Sequence, residues 1–251
     1  MLGDALRPLT DAPRRGAVLC DIDGTLAPIV ERAEQARVPP EATRILAELA
    51  NRYVLVGCIS GRSAADARRL VGVGRVAYAG AHGAELWWPG DRSPTPLSEY
   101  ARYAEDVHEF VASHDGEPLR GLGVRVEDKG PIVALHWRGV ADEDAAEARL
   151  RDVAAEADRS GLATHWGRKV LELRPPVPIS KGRAVQELVH QPQVRAALYG
   201  GDDTTDLDAF DALDAAVRVG VVSDEGPPEI ARRADVTVQG PPGFLKVLHA
   251  L

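Results

Sequence analysis

Cysteine is scarce: Cys20 and Cys58 are the only two in 251 residues. Two thiols cannot build a disulfide framework, and each follows an apolar run, so both read as buried thiols of a reducing compartment. Long apolar runs are also missing. None approaches the ~20 residues that a membrane-spanning helix needs. The opening Met1-Leu2-Gly3-Asp4 puts an acid where a signal peptide carries basic and then apolar residues, so the expected location is the cytoplasm. Nor is there a basic excess. The 30 Lys and Arg face 38 Asp and Glu, a formal net charge of −8. Without a basic footprint nucleic acid is not an expected partner, and the same charge argues against an anionic membrane surface. No fixed-period repeat or low-complexity tract is visible. What is present is ordinary for a soluble globular protein: 45% apolar and 27% charged residues, against disorder, collagen or coiled coil. The length admits one large domain, or one domain carrying a sizeable insertion.

Short, continuous apolar runs predict strands over 17–20, 54–59, 76–79, 196–199, 216–219 and 236–238. Several lack alternation, as strands covered on both faces do. Helical spacing falls between them, over 41–50, 64–71, 182–189 and 207–213. Strand alternating with helix predicts an α/β fold, a parallel sheet with helices on both sides. The middle of the chain breaks this rhythm after a turn-rich stretch at 91–96. There the pattern predicts a helix over 98–113, strands over 122–126 and 131–138, a helix over 142–160, then strands near 162–166 and 169–174 before Pro175-Pro176. We read this as a second, smaller α+β domain over 94–175, inserted into a core formed by 1–93 and 176–251.

The strongest local signal is Asp21-Ile22-Asp23-Gly24-Thr25, directly after the first predicted strand. Open α/β sheets bind ligands outside the carboxyl ends of their strands. Two carboxylates two residues apart repel each other unless one is protonated or a cation lies between them, which favours an oxygen-liking divalent ion such as Mg²⁺. An ordinary Asx-turn at a strand end is the alternative. An EF-hand calcium loop fits poorly, because Gly24 directly follows Asp23. A second acidic cluster, Gly200-Gly201-Asp202-Asp203-Thr204-Thr205-Asp206, again follows an apolar strand. Its paired glycines are expected to let the backbone approach a ligand. A helix cap explains one or two of these acids, but not the recurrence of a strand-to-carboxylate pattern. Ser60-Gly61-Arg62 offers a hydroxyl and backbone amides at a helix start, an anion site or simply an N-cap. Lys181 stands at another helix start, where the helix dipole disfavours a cation unless an anion comes there.

Asp21-x-Asp23-Gly-Thr, Ser60, Lys181 and Gly201-Asp202-Asp203-x-x-Asp206, in that order, resemble the four motifs of the haloacid dehalogenase-like phosphatases. The match spans almost the whole chain. In that superfamily the core is a Rossmann-like parallel sheet, and an insertion between the second and third motifs is a cap domain, the interval where the α+β insertion falls. Finer details are similar to the trehalose-6-phosphate phosphatases: Asp23 to Ile29, Gly80-Ala81-His82-Gly83-Ala84-Glu85, Glu127-x-Lys129, His136-x-Arg138 and Glu172-Leu173-Arg174-Pro175. Leu207 departs from the family, which often continues with an acid there.

The resemblance implies that Asp21 is the nucleophile and forms an aspartyl-phosphate. Asp23 would be the general acid and base, with Ser60 and Lys181 on the phosphoryl oxygens. Mg²⁺ would be held by Asp21, Asp202 and the Asp23 backbone carbonyl, with Asp203 and Asp206 as outer support. It implies substrate contacts from Thr25, Gly61 and Arg62 in the core and from Glu127, Lys129, Arg138 and Glu172 in the cap, which would close over bound substrate. In the cap strands these charges recur with period two and share a face, as on any solvent-facing sheet. The substrate so implied is trehalose 6-phosphate, with the synthase that makes it on a separate chain. Sucrose 6-phosphate, mannosyl-3-phosphoglycerate and hexose phosphates are rival substrates; phosphomutase activity and a non-catalytic sugar-phosphate-binding role are further alternatives. His108, His114, His165, His190 and His249 have no metal-ligand spacing, Trp87 and Trp88 read as a hairpin and core feature, and no partner for a thiol mechanism is evident near Cys20.

Overall fold

The computed structural model describes residues 2–30, 35–114, 116–214, 216–224 and 226–251, with only the backbone of Glu117. Two compact units emerge, Met1–Thr95 together with Ile179–Leu251, and Pro96–Pro178. The expected boundaries lie two or three residues earlier. Thr95 stays with the larger unit because its hydroxyl donates to the Leu86 carbonyl at 3.5 Å. Pro178 stays with the smaller one, where its carbonyl accepts from the Tyr100 hydroxyl at 2.9 Å.

The larger unit begins with α1 (Leu2–Thr10), β1 (Gly16–Cys20), α2 (Pro40–Arg52), β2 (Leu55–Ile59), α3 (Ala64–Val71), β3 (Ala77–Gly80), β4 (Glu85–Trp87) and a two-residue pairing, β5 (Thr95–Pro96). The smaller unit holds α4 (Ser98–His114), α5 (Glu117–Arg120), β6 (Arg125–Asp128), β7 (Val133–His136), α6 (Glu143–Arg159), β8 (Ala163–Gly167) and β9 (Val170–Arg174). The chain then returns through α7 (Lys181–Val189), β10 (Ala196–Gly201), α8 (Thr204–Asp211), β11 (Ala216–Val222), α9 (Pro228–Arg233), β12 (Val236–Gln239) and α10 (Gly240–His249).

The large sheet runs β12-β11-β10-β1-β2-β3-β4-β5. Its strands from β12 to β3 are parallel, and every residue of β1 and β2 is buried, the reason their sequences do not alternate. The sheet is not wholly parallel. After β3 the chain reverses through Ala81–Gly83, and β4 pairs antiparallel with β3, bringing Trp87 opposite Tyr78. β1 lies at the centre, with β2 on one side and the late-arriving β10 on the other. Strand order therefore changes direction at β1, where an open α/β sheet leaves a crevice at its carboxyl edge. Apolar side chains such as Leu46, Leu49, Val56, Leu198, Phe244 and Leu248 form the core on one side of this sheet.

The smaller unit is an antiparallel sheet, β6-β7-β9-β8. Val133, Leu135, Leu171 and Leu173 point to one face and pack with Val107 of α4 and Leu150 of α6. Alternation sends Glu127, His136, Glu172 and Arg174 to the other. The first strand starts at Arg125 rather than near 122, because Gly123 takes up a left-handed turn (φ 76°) whose amide bonds back to Arg120. Among the described residues no helix is long and apolar enough to cross a membrane.

Candidate active site

At the end of β1 the Asp21 amide continues the sheet, donating to the Gly200 carbonyl at 2.9 Å. The chain then folds back on itself, with the amides of Leu26 and Ala27 both donating to the Ile22 carbonyl and Gly24 donating to that of Ala27. Gly24 sits at φ +91°, and a Cβ there would lie 2.0 Å from Asp202 Oδ2. Only glycine lets this loop rest against Asp202. Thr25, expected at the substrate, is fully buried and its hydroxyl donates to Asp202 Oδ1 at 2.8 Å.

Asp206 organises the site. It is fully buried, and both its oxygens are occupied: Oδ1 accepts from Lys181 Nζ (2.7 Å) and the Tyr199 hydroxyl (2.6 Å), Oδ2 from the amides of Asp202 (2.9 Å) and Asp203 (3.0 Å). Asp203 caps α8. Lys181, 4% exposed, also reaches Asp21 Oδ1 at 2.9 Å. Its place at the start of α7 follows from these two carboxylates. The glycines before Asp202 do not open space for a ligand: a Cβ on Gly200 would meet the Phe244 ring at 2.2 Å, and one on Gly201 would meet Asp206 at 2.4 Å. They make room for the protein's own groups.

Burial raises the Asp21 carboxyl well above its ordinary range; Lys181 opposes this, while Asp206 and Asp202 add to it. Asp202 is pushed up to about 6 by burial and by Asp206, with the Thr25 hydrogen bond opposing. Burial by itself would lower the Lys181 ammonium, but Asp206 and Asp21 outweigh it and hold it above its usual value. Carboxylate oxygens of Asp21, Asp202 and Asp206 lie within 4.8 Å of one another. This all-oxygen set suits a hard divalent cation. Because Asp206 already accepts four hydrogen bonds, Asp21 and Asp202 are the members with capacity to bind one.

Ser60 follows β2 and is buried; its Oγ accepts from the Arg62 amide at 3.1 Å. Arg62 reaches across to Asp23, its Nε and Nη2 each 2.7 Å from a different carboxylate oxygen. Ser63, rather than Ser60, caps α3. Glu85, nearly buried, accepts from the Ala64 amide at the same helix start (2.6 Å).

In the smaller unit Lys129 Nζ lies 3.1 Å from Glu172 Oε1 and 3.8 Å from Glu127 Oε2. His136 Nε2 pairs with Glu127 Oε2 at 2.7 Å, and Arg174 with Glu172. The hydrogen bond from His136 holds Glu127 below its ordinary pKa, and Lys129 adds to this against the opposing effect of burial. Arg138 is not brought to this cluster. It is exposed, and donates to the Arg168 carbonyl in the β8–β9 turn at 3.1 Å. Sequence reading passed over Tyr199, which looks like one more apolar strand residue, and assigned no role to Arg174, although its partner Glu172 lies two residues away on the same face of β9.

The arrangement has chemical meaning. One carboxylate is buried at a strand end against a fixed ammonium, another projects from the following turn, and a third belongs to the neighbouring strand. That set can attack an electrophile, move a proton and hold a cation. Comparison with known proteins adds the family. A profile of the trehalose-phosphatase family matches residues 19–238. A Mycobacterium tuberculosis protein described as an uncharacterized glycosyl hydrolase is 39% identical over 208 residues, 80% of this chain and 15% of that protein. A trehalose-phosphate phosphatase of Mycobacterium marinum is 38% identical over 205 residues, 79% of this chain and 52% of that one. The chain thus spans about half the length of the latter relative and far less of the former. A solved trehalose-6-phosphate phosphatase related protein superposes with a TM-score of 0.72 at 24% identity, covering 93% of this chain and 95% of its own, a likeness of fold. With the profile covering most of its length and the strand-end carboxylates in place, the chain belongs to the trehalose-phosphatase family.

Proposed function

We propose that the protein is a Mg²⁺-dependent phosphatase that hydrolyses trehalose 6-phosphate to trehalose and phosphate through an aspartyl-phosphate on Asp21. The observation that carries this reading is the Lys181 ammonium held between Asp21 and Asp206, with Asp202 alongside. A carboxylate fixed by a buried cation is aligned for attack, and phosphoryl transfer depends mainly on alignment and charge stabilisation.

Asp21 attacks phosphorus, and the sugar oxygen leaves as Asp23 gives it a proton. Asp23 then takes a proton from the water that attacks the aspartyl-phosphate, releasing phosphate and restoring Asp21 as the carboxylate and Asp23 as the acid. Ser60 and Lys181 bind the phosphoryl oxygens, Lys181 having its ammonium beside the nucleophile already. When bound by Asp21, Asp202 and the Asp23 carbonyl, Mg²⁺ supplies positive charge that offsets repulsion between nucleophile and phosphate. In the smaller unit, Glu127, Lys129 and Glu172 read the sugar: the carboxylates accept from its hydroxyls and the ammonium donates to them.

Phosphate release is measured from trehalose 6-phosphate, sucrose 6-phosphate, mannosyl-3-phosphoglycerate and glucose 6-phosphate, with and without Mg²⁺. The expected result is a Mg²⁺-dependent preference for trehalose 6-phosphate. A preference for another ester replaces the substrate, transfer without phosphate release marks a mutase, and inactivity on all refutes the phosphatase reading.

A further inference from the structure

A general acid must place its proton within hydrogen-bond reach of the leaving oxygen. Asp23 is poorly suited to this by itself. It projects from a turn and its side chain is 34% exposed, so its carboxyl would otherwise rotate. Arg62 removes that freedom. Its Nε and Nη2 grip the two Asp23 oxygens at 2.7 Å each, a two-point contact that fixes the orientation of the carboxylate plane as well as its position.

Arg62 is itself anchored. Its amide donates to Ser60 Oγ, its carbonyl accepts from the Ala81 amide at 2.7 Å, and the Ser60 carbonyl accepts from the His82 amide at 2.9 Å. Ala81 and His82 make these bonds from the left-handed region, at φ 51° and 57°, a conformation that non-glycine residues keep only when surroundings hold it. The His82 ring lies flush on Gly61, where a Cβ would come 2.7 Å from Cε1. The turn at Ala81–Gly83 thus buttresses the segment that aims Arg62.

We infer that Arg62 is a positioning residue for proton transfer, acting through Asp23, and that the 81–83 turn is its support. This rests on the phosphatase reading and adds to it a role separate from contact with phosphate or sugar. Proton donation matters most when the departing oxygen is strongly basic. Loss of Arg62 should therefore steepen the dependence of rate on leaving-group basicity.

The test uses the Mg²⁺-loaded protein and esters without sugar, phenyl phosphate (a more basic leaving group) and 4-nitrophenyl phosphate (a less basic one). The parameter compared is kcat/KM, which reports only steps through leaving-group departure. In Arg62→Ala, phenyl phosphate is expected to lose at least about tenfold more kcat/KM than 4-nitrophenyl phosphate, in line with the rate contribution of general acids. Arg62→Lys keeps the charge without the two-point grip and should behave similarly, which covers the case that the alanine variant does not fold. In an Asp23→Ala background, Arg62→Ala should steepen the dependence no further. Equal losses on both esters would overturn the inference and leave Arg62 a phosphate contact or structural residue of a working phosphatase. A wild-type protein releasing no phosphate from any ester would instead remove the reading beneath it, and this inference with it.

Discussion

The two charged clusters of this protein are built on opposite terms. In the larger unit Asp21, Asp202 and Asp206 face a single ammonium, Lys181, in a nearly water-free setting, so carboxylates outnumber their cation. In the smaller unit Glu127 and Glu172 are matched by Lys129 and Arg174 on one face of a sheet, with His136 attached to Glu127. The first cluster carries an unbalanced negative charge that a divalent ion would offset. The second is formally balanced and offers hydrogen bonds in both senses, which suits a neutral, hydroxyl-rich ligand. The unbalanced cluster therefore suits chemistry and the balanced one recognition.

The sharpest way to break this comparison is at the nucleophile. Asp21→Asn is expected to lower phosphate release at least about 10⁴-fold, about 5.5 kcal/mol of barrier. The same change removes a buried charge whose ionised form is disfavoured by its surroundings, so the melting temperature should hold or rise. Near-native turnover in a folded Asp21→Asn protein would end the assignment. Next in size is a contrast in stability. Asp206→Ala removes one of the two carboxylates that hold Lys181 and takes the acceptor from the Tyr199 hydroxyl and the amides of Asp202 and Asp203, and should cost about 3–5 kcal/mol in urea unfolding. Glu127→Ala removes a partly exposed pair, expected to cost no more than about 1 kcal/mol. Comparable losses from the two would mean that burial does not separate the clusters as argued.

Much of this was legible before any coordinates, and the reasons are local. Parallel strands covered on both faces leave short, unbroken apolar runs, and the residues just beyond β1, β2 and β10 are the ones that border the crevice. Asp21, Ser60 and Asp202 stand at those positions. α1 and α10 were not legible, because Pro8 lies inside the first and Gly240-Pro241-Pro242 reads as a break although it begins the second. β4 is too short to register as a strand. Pairings between distant residues were beyond periodicity as well. Nothing near Asp23 in sequence points to Arg62, 39 positions away, and nothing near Arg138 says that its guanidinium turns to the Arg168 carbonyl. The acid run at 202–206 could be found but not divided: hydrogen-bond partners, not spacing, separate the saturated Asp206 from Asp202.

A smaller effect tests recognition. Glu127→Ala should lower kcat/KM for trehalose 6-phosphate about 10–100-fold, the worth of a hydrogen bond between a charged group and a hydroxyl. For 4-nitrophenyl phosphate, which has no sugar, little change is expected. Parallel losses on both substrates would show that the balanced cluster supports the site generally and does not read the sugar.

The smallest expected effect is a shift of metal binding with pH. Burial pushes Asp202 up to about 6, above its value in the unfolded chain, so the folded state holds that proton more tightly. Without metal, its contribution to stability is present at low pH and is lost as pH rises through about 6. Cation binding has the opposite preference, since it needs the carboxylate ionised. At a fixed Mg²⁺ concentration the rise in Tm should therefore be larger at pH 7.5 than at pH 5. If one proton is displaced, the apparent Kd should increase about tenfold per pH unit below 6. Asp202→Asn should abolish most of the Tm gain at either pH. The balanced cluster supplies the control: His136 holds Glu127 below its ordinary value, so Glu127→Gln leaves the Mg²⁺ response unchanged in this range. An equal Mg²⁺ effect at both pH values would mean that the ion is not held by Asp202, and that the excess of carboxylates in the larger unit is offset by something other than a metal.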